Sequence, residues 1–321
     1  MLLEFKMKNF KSFKEEMDFK MIPTQIKDLE YSLINKKVNK KNVKALSSAV
    51  IYGPNSAGKT NIIGGMEVFR SIILNGNIKN KENITSPNVA IDKLELIPNV
   101  DSAEEEPVCF YIKCIAQELL IELTLEIKIG AFFRQDYDRK IVSEKLVINN
   151  QLIYERKEDL KIGKIDTIKK YLIEEFSKDT AEKIAKTNLD SKELFLNGMF
   201  KSLYSKKIFD IIYGWFQDNF RIIYHSDKIK FSPVVSSNNV EKKYFIDIKL
   251  NQAVKDFGLT SKQIAYPINS DKDKIEPLSL IENNKGTLII PAELFESFGT
   301  IRFLNIFPLI LTTIKMGATL V

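Results

Sequence analysis

The chain is poor in the residues that build metal and thiol chemistry. Among 321 residues there is one histidine, His225, and there are two cysteines, Cys109 and Cys114. A single imidazole excludes a histidine-based metal cluster or a multi-histidine catalytic site, and His225 reads as an ordinary polar residue after a helix. The cysteines fall at an odd and an even position of the alternating run Val108–Ile115, so they face opposite sides of one strand. That excludes a disulfide or metal pair within the strand and fits a reducing compartment. Arginine is scarce as well, six against forty-two lysines. Base readout and bidentate phosphate clamps favour arginine, so the formal net charge of +6 points only weakly to nucleic acid.

Other absences narrow the class further. The start, Met1-Leu2-Leu3-Glu4-Phe5-Lys6, is charged too early for a secretory signal. The longest apolar run, Phe303–Val321, has only Lys315 as a charge, yet Asn305, Pro308, Thr312, Thr313 and Gly317 interrupt it. Ile301, Leu304, Phe307, Leu311 and Ile314 share one helical stripe, which predicts a buried helix followed by a strand and not a membrane span. No low-complexity tract and no repeat of 20–50 residues occurs. The expectation is a soluble, cytoplasmic, globular protein with 44% hydrophobic and 28% charged residues.

What is there is a phosphate loop, Gly53-Pro54-Asn55-Ser56-Ala57-Gly58-Lys59-Thr60, followed by Asn61. The pattern G-x-x-x-x-G-K-[ST] arises by chance about once in a hundred chains of this length, but its flanks agree with it. Ala49-Val50-Ile51-Tyr52 reads as a short buried parallel strand, and Ile62, Ile63, Met66, Phe69 and Ile73 recur at helical spacing, with Arg70 opposite. Glycines at 53 and 58 let successive N–H groups turn inward around phosphates, and the helix adds its unpaired donors. Lys59 would reach the β- and γ-phosphates of ATP, and the Thr60 hydroxyl would ligate Mg²⁺. Gly64 and Gly65 inside the helix suggest either close approach of another backbone or a helix that begins late. No N-K-x-D motif occurs, which demotes a GTPase.

Around the loop the chain alternates between periodicities. Leu2–Asn9 and Met17–Met21 read as strands joined by Phe10-Lys11-Ser12-Phe13. The lysine-rich stretch 36–44 reads as a solvated loop, and Asn75–Val100 as polar and irregular. Leu119–Ile129 has an apolar residue at every odd position, the pattern of a half-buried antiparallel strand. Ala131–Asp136, Ile141–Ile148 and Leu152–Arg156 continue the set, with Gly130 and Asn149-Asn150 as turns. Between Lys157 and about Tyr224 the period becomes helical, with helices expected over Ile165–Phe176 and Lys206–Phe220; another is expected over Phe245–Phe257. Three regions follow: 1–156, an N-terminal lobe with antiparallel β-subdomain; 157–225, a helical insertion; and 226–321, a C-terminal lobe.

Near the end stands Glu296-Ser297-Phe298-Gly299-Thr300, with Ser297 placed as a helix N-cap and Gly299 allowing close approach of an anion. Together, "MLLEFKMKNFKSFKEE", "VIYGPNSAGKTN" and "ESFGTIRFLNIFPLIL" resemble the ABC-class ATPases of the SMC/RecF/OLD grouping. More narrowly the chain is similar to compact AAA-family ATPases of bacterial abortive-infection and restriction-linked operons. The resemblance implies an α/β P-loop NTPase head in which two copies sandwich ATP. Lys59 and Thr60 would hold phosphate and Mg²⁺ in cis, while Ser297, Gly299 and Thr300 would meet the γ-phosphate bound by the partner copy. Asn9–Phe13 would lie near the adenine edge; Gln135 is the candidate Q-loop residue, although its strand pattern favours a structural role.

Members of this grouping carry an Asp-Glu pair at the end of the strand after the signature helix, where this chain reads Lys315-Met316-Gly317-Ala318-Thr319-Leu320-Val321. The expectation is therefore a head truncated before Walker B, binding ATP and hydrolysing it very slowly, with catalytic carboxylates outside this span. The leading function is an ATP-gated dimeric sensor or motor in anti-phage defence that controls an effector protein such as a nuclease. Alternatives are a DNA-repair or chromosome-maintenance ATPase that clamps DNA, and a non-catalytic scaffold held together by ATP.

Overall fold

The computed structural model describes residues 1–24, 30–39, 41–79, 95–103, 105–130, 138–174, 177–224, 244–260, 262–268, 276–284 and 286–321. The expected strand Ala131–Asp136, the candidate Gln135, and His225 lie outside the described residues. The chain divides into two compact units, Met1–Tyr224 with Gly317–Val321, and His225–Met316.

The first unit is built on a seven-stranded antiparallel sheet. Its strands are β1 (Leu2–Lys8), β2 (Met17–Lys20), β5 (Val108–Ala116), β6 (Leu119–Ile129), β7 (Arg139–Ile148), β8 (Gln151–Arg156) and β9 (Leu160–Ile162), in the order β2-β1-β5-β6-β7-β8-β9. In β6 buried and half-exposed residues alternate without a break, because every odd position is apolar and every pleat turns it to one face. Asn149 and Asn150 hold φ of 51° and 64° between the paired residues Ile148 and Gln151, a two-residue hairpin turn whose twist matches the strands.

Helix α1 (Lys59–Asn75) buries Met66, Phe69, Ile72 and Ile73 in the same core as Phe5, Phe110 and Phe216. The Phe69 ring stacks on Phe110 at 5.7 Å and meets Phe216 edge-on at 5.8 Å, so one side chain ties α1 to both the sheet and the helical region. That helical region comprises a 3₁₀ segment (Ile165–Tyr171), α2 (Lys178–Thr187), a π-helical turn (Leu196–Phe200) running into Lys201–Leu203, α3 (Lys206–Gly214) and a second π-turn (Trp215–Asn219). It is fastened to the sheet by Glu144, a fully buried carboxylate. Glu144 accepts the N–H groups of Phe195 at 2.7 Å and Leu196 at 2.9 Å and the Tyr154 hydroxyl at 2.8 Å, with the Arg156 guanidinium 3.7 Å away. Three donors and a nearby guanidinium around one buried carboxylate supply part of what its lost water would have given.

Two shorter pieces complete the first unit. β3 (Leu33–Val38) and β4 (Lys41–Leu46) form a hairpin whose Val38 and Ala45 pack with Met1, Leu3 and Ile115 in a separate small cluster. β10 (Phe220–Arg221) and β15 (Thr319–Leu320) pair in parallel. The second unit has β11 (Tyr244–Phe245), β12 (Gln263–Pro267), β13 (Leu278–Asn283) and β14 (Gly286–Pro291) in one antiparallel sheet. Helices α4 (Ile248–Asp256), α5 (Ala292–Phe295) and α6 (Phe298–Met316) accompany it, and Leu250, Val254, Ile264, Tyr266 and Leu304 form its core.

Four expectations need correction. Ala49–Tyr52 is not a buried strand: Val50 is 84% and Tyr52 90% exposed, and the segment pairs with no described strand. The lysine-rich stretch is not a loop but most of the β3–β4 hairpin, because Val38, Val43 and Ala45 interleave the lysines with apolar residues. The helix expected over Ile165–Phe176 is a 3₁₀ segment ending at Tyr171 with a kink at Ile168. Ile165, Thr167 and Ile168 are β-branched, and the Ile173 N–H leaves the helix for the Tyr204 carbonyl at 3.0 Å. The α6 helix is not buried; only Thr300, Leu304 and Thr313 are, and Ile314 of the expected stripe is exposed. Among the described residues α6 alone is long and apolar enough, by length and composition, to cross a membrane.

Removing the Phe69 ring should destabilise the first unit by about 3–5 kcal/mol, the usual cost of Phe→Ala in a packed core. Trp215, the only tryptophan and a buried member of that core, reports the transition, so urea unfolding followed by its fluorescence measures the loss. Phe298→Ala, at a residue 72% exposed in the second unit, should leave that transition within about 0.5 kcal/mol.

Candidate nucleotide-binding site

The loop from Gly53 to Ala57 is exposed and ends in Gly58, which caps α1 with φ 87° and ψ 8°. Gly58 offers no side-chain acceptor, so the unpaired N–H donors of the first turn are left facing outward from the helix end. Ser56 also sits at positive φ, 65°, which is uncommon for a residue with a Cβ and bends the loop back on itself. Lys59 folds over this bend, donating from Nζ to the carbonyls of Gly53 at 2.9 Å and Pro54 at 2.7 Å. Thr60, one residue into the helix, is exposed. Among the described residues no carboxylate stands within ion-pair distance of Lys59, and none forms a three-membered metal-ligating cluster with others.

What holds the loop is the N-terminal turn, Asn9–Phe13. Phe10 and Phe13 exchange backbone hydrogen bonds at 2.8 and 2.9 Å, and Asn9 and Lys11 hold φ of 52° and 50°. The buried Asn9 amide donates to the Glu106 carbonyl at 2.7 Å and accepts the Asn99 N–H at 2.9 Å, which fixes the turn to the segment 95–99 and its neighbour. Ser12 Oγ then accepts a hydrogen bond from Asn61 Nδ2 at 2.8 Å, and Phe13 lies over Gly58. A Cβ on Gly58 would stand 2.6 Å from Ser12 Oγ and 3.0 Å from the Phe13 ring. Glycine is required there twice, for the left-handed conformation and for the space.

The helix glycines explain themselves in the same way, with a difference from expectation. Side chains, not a second backbone, approach them: a Cβ on Gly65 would stand 2.5 Å from Met7 Sδ, and one on Gly64 3.1 Å from the Tyr224 ring. Tyr224 belongs to a cluster that sequence reasoning missed. Lys11 Nζ meets Glu95 Oε2 at 2.6 Å and the Tyr224 hydroxyl at 3.1 Å, and that hydroxyl reaches Glu95 at 3.3 Å. The paired glycines were its one legible signal. Both cysteines stay free and lie away from this chemistry: burial pushes the Cys109 thiol up to about 11 and the Cys114 thiol up to about 12.

In the second unit, Ser297 caps α6. Its Oγ accepts the Thr300 N–H at 3.1 Å and lies 2.9 Å from the Thr300 hydroxyl, which is itself buried. A Cβ on Gly299 would meet only Ser297 Oγ, at an ordinary 3.7 Å. Glu296 is anchored by the Ser279 hydroxyl at 2.8 Å.

A family model described as "AAA domain, putative AbiEii toxin, Type IV TA system" matches residues 48–321, from just before the phosphate loop to the last residue. The chain belongs to this family. Neither a curated protein nor a solved structure matches it. Membership in an AAA family accounts for the nucleotide-type loop on a mixed α/β framework, and its abortive-infection association agrees with the resemblance noted in the sequence. β1 to β4, with the turn between β1 and β2 that clamps this AAA domain's loop, precede the matched span.

Gly58→Ala should lose nucleotide binding and lower the stability of the first unit by roughly 1–3 kcal/mol, through strain at positive φ plus the collision with Ser12. Pairing it with Ser12→Gly should recover only part of the stability, since the backbone strain remains; urea melts of the single and double variants measure the difference.

Proposed function

We propose that this AAA domain binds ATP with Mg²⁺ at Gly53–Asn61 and uses the nucleotide to control assembly with a second copy in a bacterial defence system. The observation that carries the reading is the uncapped start of α1, where an exposed glycine loop, a lysine and a threonine hydroxyl converge. These groups fit a metal-bound triphosphate: open amide donors and the helix dipole for the phosphates, Lys59 for the terminal phosphates, and Thr60 for the metal. Bound Mg²⁺ would neutralise charge developing on the transferred phosphoryl group. The residues of this chain bind and orient, and Lys59 exchanges its two carbonyl partners for phosphate oxygens.

The second element is Ser297-Phe298-Gly299-Thr300, which we assign to the γ-phosphate held by a partner copy. A glycine in open space at the helix start supports that reading, because a partner's anion can approach without moving the fold. The assembled pair would act on an effector protein, a cytoplasmic event in abortive infection.

Lys59→Ala should weaken ATP binding by roughly 10- to 150-fold, the worth of one or two charge-assisted hydrogen bonds, as measured with a fluorescent ATP analogue. Gly299→Asp should leave both stability and that affinity unchanged while abolishing the ATP-dependent dimer seen by light scattering. A Gly299→Asp chain that still dimerises with ATP contradicts the assignment of 297–300, whereas an ATP affinity insensitive to Lys59→Ala contradicts the nucleotide site itself.

A further inference from the structure

The net charge of this chain is not spread evenly over its surface. On strands β1, β2 and β5 the lysines are neutralised by neighbours: Lys6 by Glu4, Glu16 and Asp18, Lys8 by Glu106, Lys20 by Asp18 and Lys113 by Glu122. The β3–β4 hairpin is different. Its fourteen residues, 33–46, contain lysines at 36, 37, 40, 41 and 44 and no Asp or Glu, nearly the whole of the formal +6. Among the described residues, Lys36, Lys37 and Lys41 have no carboxylate within ion-pair distance, and Lys44 has only the largely exposed Glu30, at 4.0 Å.

Pairing register sorts the hairpin into two faces. Val38 and Ala45 turn inward to Met1, Leu3 and Ile115. The cross-strand pairs Asn35–Lys44 and Lys37–Asn42 stand together on the other face, and all four residues are exposed. The half-buried pair Leu33–Leu46 completes that face, and Lys41, opposite Val38, is exposed at the tip. The lysines act as point charges suited to phosphates and not to reading bases. A two-stranded ribbon fits the wide major groove of B-form DNA, whereas the A-form RNA groove is too deep and narrow for it.

We infer that the exposed polar side chains of the β3–β4 hairpin, Asn35, Lys37, Asn42 and Lys44 on one face with Lys41 at the tip, form a docking surface for the phosphate backbone of duplex DNA, sequence-independent in character. The hairpin precedes the span matched by the AAA family model, so the surface is a feature of this chain's own N-terminal part. It is also joined to the nucleotide site: β4 ends at Leu46, and residues 47–52 lead straight into Gly53.

The test is fluorescence anisotropy of the 321-residue chain with a labelled 30-bp duplex between 50 and 200 mM KCl, without nucleotide, so that it is independent of the ATP reading. The wild type should bind with a steep salt dependence. The triple variant Lys37→Glu/Lys41→Glu/Lys44→Glu should bind at least about tenfold more weakly at 100 mM salt, with the salt slope reduced by about three. A control with the same charge change elsewhere on exposed lysines, Lys169→Glu/Lys183→Glu/Lys207→Glu, should stay within about threefold of wild type. Should the Glu triple fail to fold by Trp215 fluorescence, the Lys→Gln triple at the same positions takes its place, with the same order of effects. Duplex affinity unchanged in the hairpin variant, equal loss in the control, or binding to phosphatidylserine vesicles without duplex binding would each overturn the inference.

Discussion

The packing of α1 onto the antiparallel sheet is the contact on which the rest of the first unit depends. Phe69 sits between Phe5 and Phe110 on one side and Phe216 on the other, and Gly65 lets Met7 come in against the helix. Because the helix is fixed this way, its N-terminal donors point to one place, and the loop of glycines before it has a rigid base. Burial of a few large side chains, each worth about 1.5–3 kcal/mol, thereby becomes positional accuracy at a surface site.

The loop itself is not held by apolar burial. Its constraint is the Asn9–Phe13 turn, fixed by buried amide hydrogen bonds of Asn9 and pressed against Gly58 and Asn61. The chain's first strand therefore serves twice, as the sheet neighbour of β5 and as the support of the nucleotide loop. Tyr224, whose ring lies on Gly64 and whose hydroxyl meets Lys11 and Glu95, is the last residue of the first unit before the chain enters the second. Residues on both sides of α1 thus bear on its opening turns.

Much of this was legible in the sequence where one local rule decides the outcome. The odd-position pattern of Leu119–Ile129 specified β6 residue by residue, and Asn149-Asn150 specified the β7–β8 hairpin. The phosphate loop was legible because its glycines have no cheap substitute, as Gly58 shows. Reading failed where tertiary surroundings decide. Val50-Ile51-Tyr52 has the composition of a buried strand yet pairs with no described strand, and Lys36–Lys44 has the composition of a linker yet pairs because Val38, Val43 and the following Ala45 find a partner cluster. The Lys11–Glu95–Tyr224 cluster joins residues far apart in sequence, so only the paired glycines hinted at it.

The central claim is that the Asn9–Phe13 turn and the start of α1 form one nucleotide-responsive unit. Amide hydrogen exchange with and without ATP and Mg²⁺ tests it directly. Slowed exchange at Gly58–Asn61 together with slowed exchange at Lys11–Phe13 is the predicted result. Protection confined to residues outside both segments, or none on adding nucleotide, would contradict the account.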